Sequence, residues 1–267
     1  MCTVSWLRRD EGYQLFSNRD EQRTRRRAAG PQTLLLGGVR ALAPLDSESG
    51  GTWIAANEFG LSLCLLNGSA GSPIKLSRGL VIMSLIRAKC LPEAGERIAS
   101  MDLSEFAPFS LLGLEPGSPP VLFQWDGSQL AEIPGADRRM PLVSSSFDGM
   151  GVEVERRGTL ERLRAESRGL RTGSLLAFHR SHEPARGAYS PCMHREDAET
   201  VSFTWVTVSA SEVSLYYAPG APCSSLAGES RTLPLAASKL ARGRSPTSLK
   251  RQAKAPVPHR GRYICKI

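Results

Sequence analysis

Alternating apolar and polar positions recur along the chain and predict paired strands. Thr3–Leu7 and Tyr13–Ser17 alternate on either side of a polar turn at Arg8–Gly12. Such a pattern is typical of a β-hairpin. Three more pairs of strand-like segments, each pair joined by a short turn, predict further hairpins: Thr52–Ala56 with Leu61–Leu66, Phe109–Leu114 with Val121–Trp125, and Val201–Val208 with Val213–Tyr217.

Helical patterns are confined to three segments between these hairpins. Ser77–Cys90 starts at a possible cap and ends before Pro92, where a helix is expected to stop. Gly151–Ser167 interleaves glutamate and arginine at spacings of three and four, and Ser174–His179 is a short third segment. Hairpins grouped with a few separate helices favour an α+β fold with antiparallel sheet over alternating βαβ units.

Length and composition describe a globular protein that can build a core without disulfide or metal staples. The chain has 267 residues, of which 41% are hydrophobic. Its longest apolar stretch, Gly79–Ile86, is far shorter than the roughly 20 residues of a membrane helix. We therefore expect no transmembrane segment. The first 30 residues lack a secretory signal pattern and the six cysteines are dilute, so we expect a cytoplasmic protein with reduced thiols.

The net charge of +8 is concentrated at one end of the chain. Residues 228–267 contain ten lysines and arginines and one glutamate, whereas basic and acidic residues nearly balance in residues 1–227. This predicts a folded domain over 1–227 and a basic, disordered tail over 228–267. No nucleic-acid-binding motif accompanies the tail, so we expect a solubilising extension and no specific nucleic-acid partner. The oligomeric state is left open.

Cys2 is the residue with the most distinctive chemistry. Removal of an initiator methionine before a small side chain would leave this cysteine with a free α-amine, whose ordinary pKa is about 7.7–8.0. Nucleophile and base would then belong to one residue. If the first two strands pair, residues 18–21 return to the level of Cys2. A carboxylate there could orient the ammonium, and a guanidinium could polarise a carbonyl.

Four features at the start of the chain together resemble the NRDE family, which is related to transport and Golgi organisation protein 2. They are Met1-Cys2, Asn18-Arg19-Asp20-Glu21, Gly50-Gly51-Thr52-Trp53 and Leu65-Leu66-Asn67. Members of the family resemble N-terminal-nucleophile hydrolases, most closely the choloylglycine hydrolase and penicillin V acylase branch. The resemblance is clear over about residues 1–70 and extends to about residue 217. It implies a four-layer αββα sandwich in which two antiparallel sheets pack together with helices outside.

The resemblance also implies roles for individual residues. Cys2 would be the nucleophile and, through its α-amine, the base. Asp20 would orient the N-terminal group, and Asn67 would help to form the oxyanion hole. Asn18 matches an asparagine that precedes the carboxylate in the acylase branch, and is expected to contact the substrate.

The sequence departs from the family pattern at several positions. The family arginine falls at Ser17, two positions before Arg19, which we assign the catalytic role instead. Ser145 stands in place of a second family asparagine. Arg195 is the candidate for a late arginine, and the neighbouring His194 is a candidate for lining the substrate pocket.

No metal or cofactor site is expected. His179, His182, Cys192 and His194 bring possible ligands close in sequence, but zinc motifs such as CxxC or HExxH are absent. The chain also lacks the GxSxG, P-loop and GxGxxG patterns.

Two functions remain open. The first is hydrolysis of a small-molecule, non-peptide amide through a Cys2 acyl-enzyme, which the presence of Cys2, Asp20 and Asn67 favours. The alternative is a non-catalytic protein that binds or transports a hydrophobic ligand, either lipid or haem, on the same fold. The serine at position 145 and the lack of a confident late arginine favour that alternative.

Overall fold

Two antiparallel sheets form the centre of the protein in a computed structural model that describes residues 2–68 and 76–236. Across the six-stranded sheet the order is β10 (Leu142–Ser144), β1 (Cys2–Arg9), β2 (Gly12–Gln22), β11 (Ala198–Val208), β12 (Glu212–Pro219) and β13 (Glu229–Pro234). The seven-stranded sheet follows chain order: β3 (Ala29–Leu36), β4 (Val39–Leu45), β5 (Ile54–Asn57), β6 (Ser62–Asn67), β7 (Phe109–Leu114), β8 (Val121–Trp125) and β9 (Leu130–Pro134).

The four predicted hairpins are confirmed by the strand register. β1 pairs with β2, β5 with β6, β7 with β8 and β11 with β12, all antiparallel. The sheets also contain strands that the pattern did not single out, among them β3 and β4. Their burial is uneven: Leu35 on β3 is 71% exposed, whereas Ala41 and Leu42 on β4 are buried on both faces. Neither strand therefore shows a clear alternation.

Helices cover the outer face of each sheet. α1 (Gly79–Leu85) and α2 (Leu91–Ala99) share an apolar cluster with the seven-stranded sheet. α3 (Gly149–Glu166) and α4 (Thr172–Arg180) share another with the six-stranded sheet. A third cluster, which includes Val4, Ile54 and Val206, lies between the two sheets. The predicted four-layer αββα sandwich is confirmed.

The predicted helix over Ser77–Cys90 is wrong in its extent. α1 ends at Leu85, and a second helix, α2, begins at Leu91 with Pro92 in its first turn. Proline is tolerated there because the first turn of a helix does not use its backbone N–H groups in intrahelical bonds. Pro92 therefore starts a helix, where the sequence pattern indicated a stop.

The boundary predicted at residue 227 also lies too early. β13 pairs with β12 beyond that point, and Leu233 is only 5% exposed. β13 lies at the edge of the sheet and buries only one residue. Its sequence is therefore as polar as that of a disordered tail. Residues 237–267 of the predicted tail lie outside the described residues. In the described ranges, no helix has the length and apolar character needed to cross a membrane.

Candidate active site

Strand pairing places Cys2 beside residues of β2 and β10. Cys2 lies opposite Arg19 in the β1–β2 ladder and opposite Ser144 in the β1–β10 ladder. Its side chain is 6% exposed and lines a cavity of about 290 Å³. Asp20 and Asn67 line the same cavity, although Asn67 comes from the other sheet. The four residues predicted to be catalytic, Cys2, Arg19, Asp20 and Asn67, therefore share one cavity.

Two glycines shape the wall of this cavity. Gly50 has a φ of +67°, in the left-handed region that glycine adopts without strain. A Cβ on Gly51 would lie 2.8 Å from the carbonyl carbon of Gly79, so this position has no room for a side chain. The glycine pair therefore lets the loop before Trp53 pass against the start of α1. Trp53 belongs to the core between the sheets and also lines the cavity.

Arg19 is fixed on the cavity side of β2. Its Nη2 lies 2.7 Å from Asp46 Oδ2 and 3.5 Å from Glu21 Oε2. The guanidinium stacks over the Trp53 ring at 4.5 Å from the centroid. These contacts hold a cation beside Cys2 in one orientation.

Among the described residues, two donors that are distant in sequence hold Asp20. Its Oδ1 accepts a hydrogen bond of 2.6 Å from the Thr200 hydroxyl, and its Oδ2 lies 3.2 Å from Nη1 of Arg156. Arg156 also donates to the Thr3 hydroxyl and to the carbonyl of Ala188. Asp20 and Arg156 are each 1% exposed, so this is a buried ion pair with several satisfied hydrogen bonds.

Arg156, the buried partner of Asp20, is a residue that the sequence pattern did not indicate. α3 shows many glutamates and arginines, which is typical of a solvated helix. However, Arg156 occupies the same helical face as Val152 and Leu160, both of which are buried. Its position, four residues from an apolar residue on either side, was the sequence feature that could have indicated a buried arginine.

The environment of Cys2 disfavours ionisation of its thiol. Burial raises the pKa of the thiol, Asp20 raises it further, and Arg19 lowers it. The net effect is a pKa above the usual value. The backbone nitrogen of Cys2 donates to Ser144 Oγ at 3.0 Å. That nitrogen is the atom that would become the α-amine if Met1 were removed.

Asn18 and Ser145, both predicted to bind substrate, do not line the Cys2 cavity. Asn18 faces the helical layer and donates to the carbonyls of His179 at 2.9 Å and Pro191 at 2.8 Å. The Ser145 hydroxyl accepts from the backbone N–H of Phe147 at 3.1 Å. Ser144, one residue earlier, is the serine that contacts Cys2.

His194 and Arg195, the two other residues predicted to bind substrate, are also absent from the cavity wall. Arg195 lies 2.7 Å from Asp197 and stacks on Phe147 at 5.1 Å. His194 lies in a cluster with His182, Cys192 and Cys223, whose ligand atoms are all within 4.8 Å of one another. The irregular sequence spacing had argued against a metal site, yet folding brings four possible ligands together.

Comparison with known proteins finds a matching family model for the first part of the chain. Residues 1–129 match the family model of Transport and Golgi organisation 2. The family resemblance drawn from the N-terminal motifs is thereby confirmed over that region. A comparison with curated proteins finds no match.

Solved structures share the fold at low sequence identity. Penicillin V acylase from Agrobacterium tumefaciens aligns with a TM-score of 0.50 and 9% identity, covering 82% of this chain and 83% of that chain. The Caenorhabditis elegans N-acylethanolamine-hydrolyzing acid amidase ortholog aligns with a TM-score of 0.54 and 14% identity, covering 77% of this chain and 92% of that chain. The C2A mutant of conjugated bile acid hydrolase from Clostridium perfringens aligns with a TM-score of 0.52 and 8% identity, covering 82% of this chain and 89% of that chain. These likenesses show the N-terminal-nucleophile hydrolase fold.

Proposed function

We propose that the protein is an amidohydrolase that cleaves a small-molecule, non-peptide amide through a Cys2 acyl-enzyme. The observation that carries this proposal is the shared cavity of Cys2, Arg19, Asp20 and Asn67. The proposal requires Cys2 to be the first residue of the mature chain, because an amine in peptide linkage to Met1 cannot accept a proton.

In the proposed reaction the free α-amine of Cys2 takes the proton of the thiol. The sulfur then attacks the amide carbonyl and forms a tetrahedral intermediate. When this collapses, the C–N bond breaks and the amine leaves with the proton from the ammonium. Water, deprotonated by the same α-amine, attacks the resulting thioester; the C–S bond breaks, the carboxylic acid is released, and the ammonium returns its proton to the Cys2 sulfur. A local base is needed because the environment of Cys2 raises the pKa of its thiol.

Two neighbours support this chemistry by position. Asp20 would orient the α-ammonium, and its own carboxylate is held by Arg156 and Thr200. The Asn67 side-chain amide would donate to the oxyanion as charge develops on the carbonyl oxygen. Asp20 is in this account a positioning residue, whereas Asn67 acts on the reacting atoms.

One arginine of the cavity wall, Arg78, favours a substrate with an anionic group. Arg78 is half-buried in the cavity wall and donates to the Pro108 carbonyl at 3.1 Å. Among the residues that the structure describes, no carboxylate forms an ion pair with it. Arg19 and Arg25, in contrast, are paired with Asp46. We infer that Arg78 binds a carboxylate or similar group on the substrate.

A different surface favours the alternative of a non-catalytic lipid- or haem-binding protein. An apolar groove of about 390 Å³ lies on the outer face of the six-stranded sheet, lined by residues that include Leu176, Trp205 and Tyr216. The charged Cys2 cavity is less suited to a hydrophobic ligand. The carrier function would therefore use this groove and not depend on Cys2.

The test is turnover of a panel of N-acyl amides, including N-acyl amino acids, by the wild type and two cysteine variants. We expect activity in the wild type, none in Cys2→Ala and unchanged activity in Cys90→Ser, because Cys90 lies outside the cavity. Two results would contradict the proposal. One is turnover by Cys2→Ala. The other is a wild type with a confirmed free Cys2 that cleaves no amide and resists a cysteine-directed acylating reagent.

A further inference from the structure

Four possible metal ligands from three separate segments meet beside the six-stranded sheet. His182 follows the end of α4, Cys192 and His194 lie in the loop before β11, and Cys223 lies in the turn after β12. We call this group the His/Cys cluster. None of its members lines the Cys2 cavity.

The spacing of the ligand atoms suits a tetrahedral metal ion. Nε2 of His194 lies 3.6 Å from Sγ of Cys192 and 3.3 Å from Sγ of Cys223. Zinc bonds of about 2.3 Å to sulfur and 2.0–2.1 Å to nitrogen separate neighbouring ligands by roughly 3.3–3.8 Å. The widest separation in the cluster is within 4.8 Å, which small side-chain rotations would close.

Burial supplies a second, independent observation. Nε2 of His182 is buried and has no hydrogen-bond partner among the described residues. A buried polar nitrogen without a partner is unfavourable, so the folded chain gains if a ligand occupies that position. The His182 ring packs against His194 with a centroid distance of 5.1 Å, and the Cys192 side chain is fully buried. Both histidines and both cysteines therefore converge on one small volume.

We propose that His182, Cys192, His194 and Cys223 bind one zinc ion as a structural site. Two thiolates and two imidazoles form the donor set that favours zinc, and four protein ligands leave no open position for a substrate. Binding releases one proton from each thiol and gives a site of zero net charge. No electron transfer is involved.

The zinc site would hold the loop that supports Asp20. Met193, between two of the ligands, is tied to Thr200 through a 2.9 Å bond from the Thr200 N–H to the Met193 carbonyl and a 2.8 Å bond from the Met193 N–H to the Thr200 hydroxyl. Thr200 in turn donates to Asp20. Metal binding is nevertheless independent of the proposed hydrolase function, since the four ligands would bind zinc whether or not Cys2 is catalytic.

The experiment measures zinc in the purified full-length chain under reducing conditions, by elemental analysis after incubation with zinc chloride and removal of the excess. Wild type and Cys90→Ser should each retain one zinc per chain. Cys223→Ser and His182→Gln should retain much less zinc. Both variants should still fold, because the Cys223 and His182 side chains are only partly buried. Replacement of zinc by Co²⁺ should give a thiolate-to-cobalt charge-transfer band that Cys223→Ser weakens.

Three results would overturn the proposal. The first is a folded, reduced wild type that retains no zinc and gives no cobalt band. The second is a zinc affinity of Cys223→Ser and of His182→Gln that equals the affinity of the wild type. The third is a metal-free protein lighter by two hydrogen atoms under the same reducing conditions, since this mass would indicate a Cys192–Cys223 disulfide instead.

Discussion

Helices α1 and α2 meet the seven-stranded sheet mainly through aliphatic side chains, whereas α3 and α4 also bury charged and polar groups against the six-stranded sheet. Val81, Ile82 and Ile98 belong to the first layer and are at most 1% exposed. In the second layer Arg156 and His179 are equally buried. The two layers have the same place in the sandwich but differ in the chemistry of their contacts.

The difference indicates which half of the sandwich supports the site. Burying a charged group is costly unless partners satisfy it. The partner of Arg156 is Asp20, which lines the Cys2 cavity. The α1–α2 layer can therefore stabilise the fold through packing alone. The α3–α4 layer also holds Asp20, a residue of the candidate active site, in place.

The largest effect should follow from breaking the buried ion pair. Arg156→Met removes a charged partner of the buried Asp20, which should lower the free energy of unfolding by about 3–5 kcal/mol. The matched control is Arg157→Met, because the Arg157 side chain is 35% exposed and pairs with Glu153. That change should cost at most about 1 kcal/mol. Urea unfolding measures both, and equal effects would remove the distinction between the layers.

Asn67 tests the contribution of the seven-stranded sheet to the chemistry. Asn67→Ala should reduce kcat by about 10²–10³ if its amide donates to the oxyanion. Its melting temperature should change little, since Asn67 is only partly buried at the end of β6. Steady-state kinetics and thermal unfolding together check this. An unchanged kcat would confine the catalytic contribution to the six-stranded sheet.

Acid should destabilise the α3–α4 layer through His179. Burial, with a further contribution from Arg156, lowers the pKa of His179 to about 3. The unfolded chain binds the proton near pH 6.5 while the folded chain does not. Stability is therefore lost as pH falls below about 6.5, by up to about 1.4 kcal/mol per pH unit until pH 3. Urea unfolding between pH 7 and 5 should show this slope, and His179→Gln should reduce it. An identical slope in the variant would contradict this origin.

The smallest effect is expected from the aliphatic layer. Ile82→Val removes one methylene group from a fully buried side chain. It should cost about 0.5–1.5 kcal/mol of stability. kcat should stay at the wild-type value, because Ile82 does not line the cavity. A loss of kcat without further loss of stability would show that the α1–α2 layer also positions the site.

Local sequence patterns predicted the parts of the fold in which neighbouring residues determine the geometry. The β1–β2 hairpin needs only a short turn, and it alone brings Arg19 opposite Cys2. The N-terminal motifs also predicted a role for Asn67, which lies on the facing sheet. Helix boundaries were less accurate, because proline permits the first turn of a helix as well as ending one.

Contacts between distant segments could not be predicted in the same way. Arg156 and Asp20 are 136 positions apart, and nothing in the local pattern of α3 names that partner. The fourth member of the His/Cys cluster, Cys223, lies 29 positions beyond His194 in a separate turn. Register decides whether Ser144 or Ser145 contacts Cys2, and a one-residue difference in a strand reverses the face.

The state of the N-terminus of the purified protein tests the central claim most directly. Intact mass spectrometry should show a chain without Met1, and a cysteine-directed acylating reagent should modify Cys2 in the wild type. Cys90→Ser should be modified to the same extent, and Cys2→Ala should lose this modification. Retention of Met1 in most of the protein would contradict the account, because Cys2 would then lack the free amine on which the proposed reaction depends.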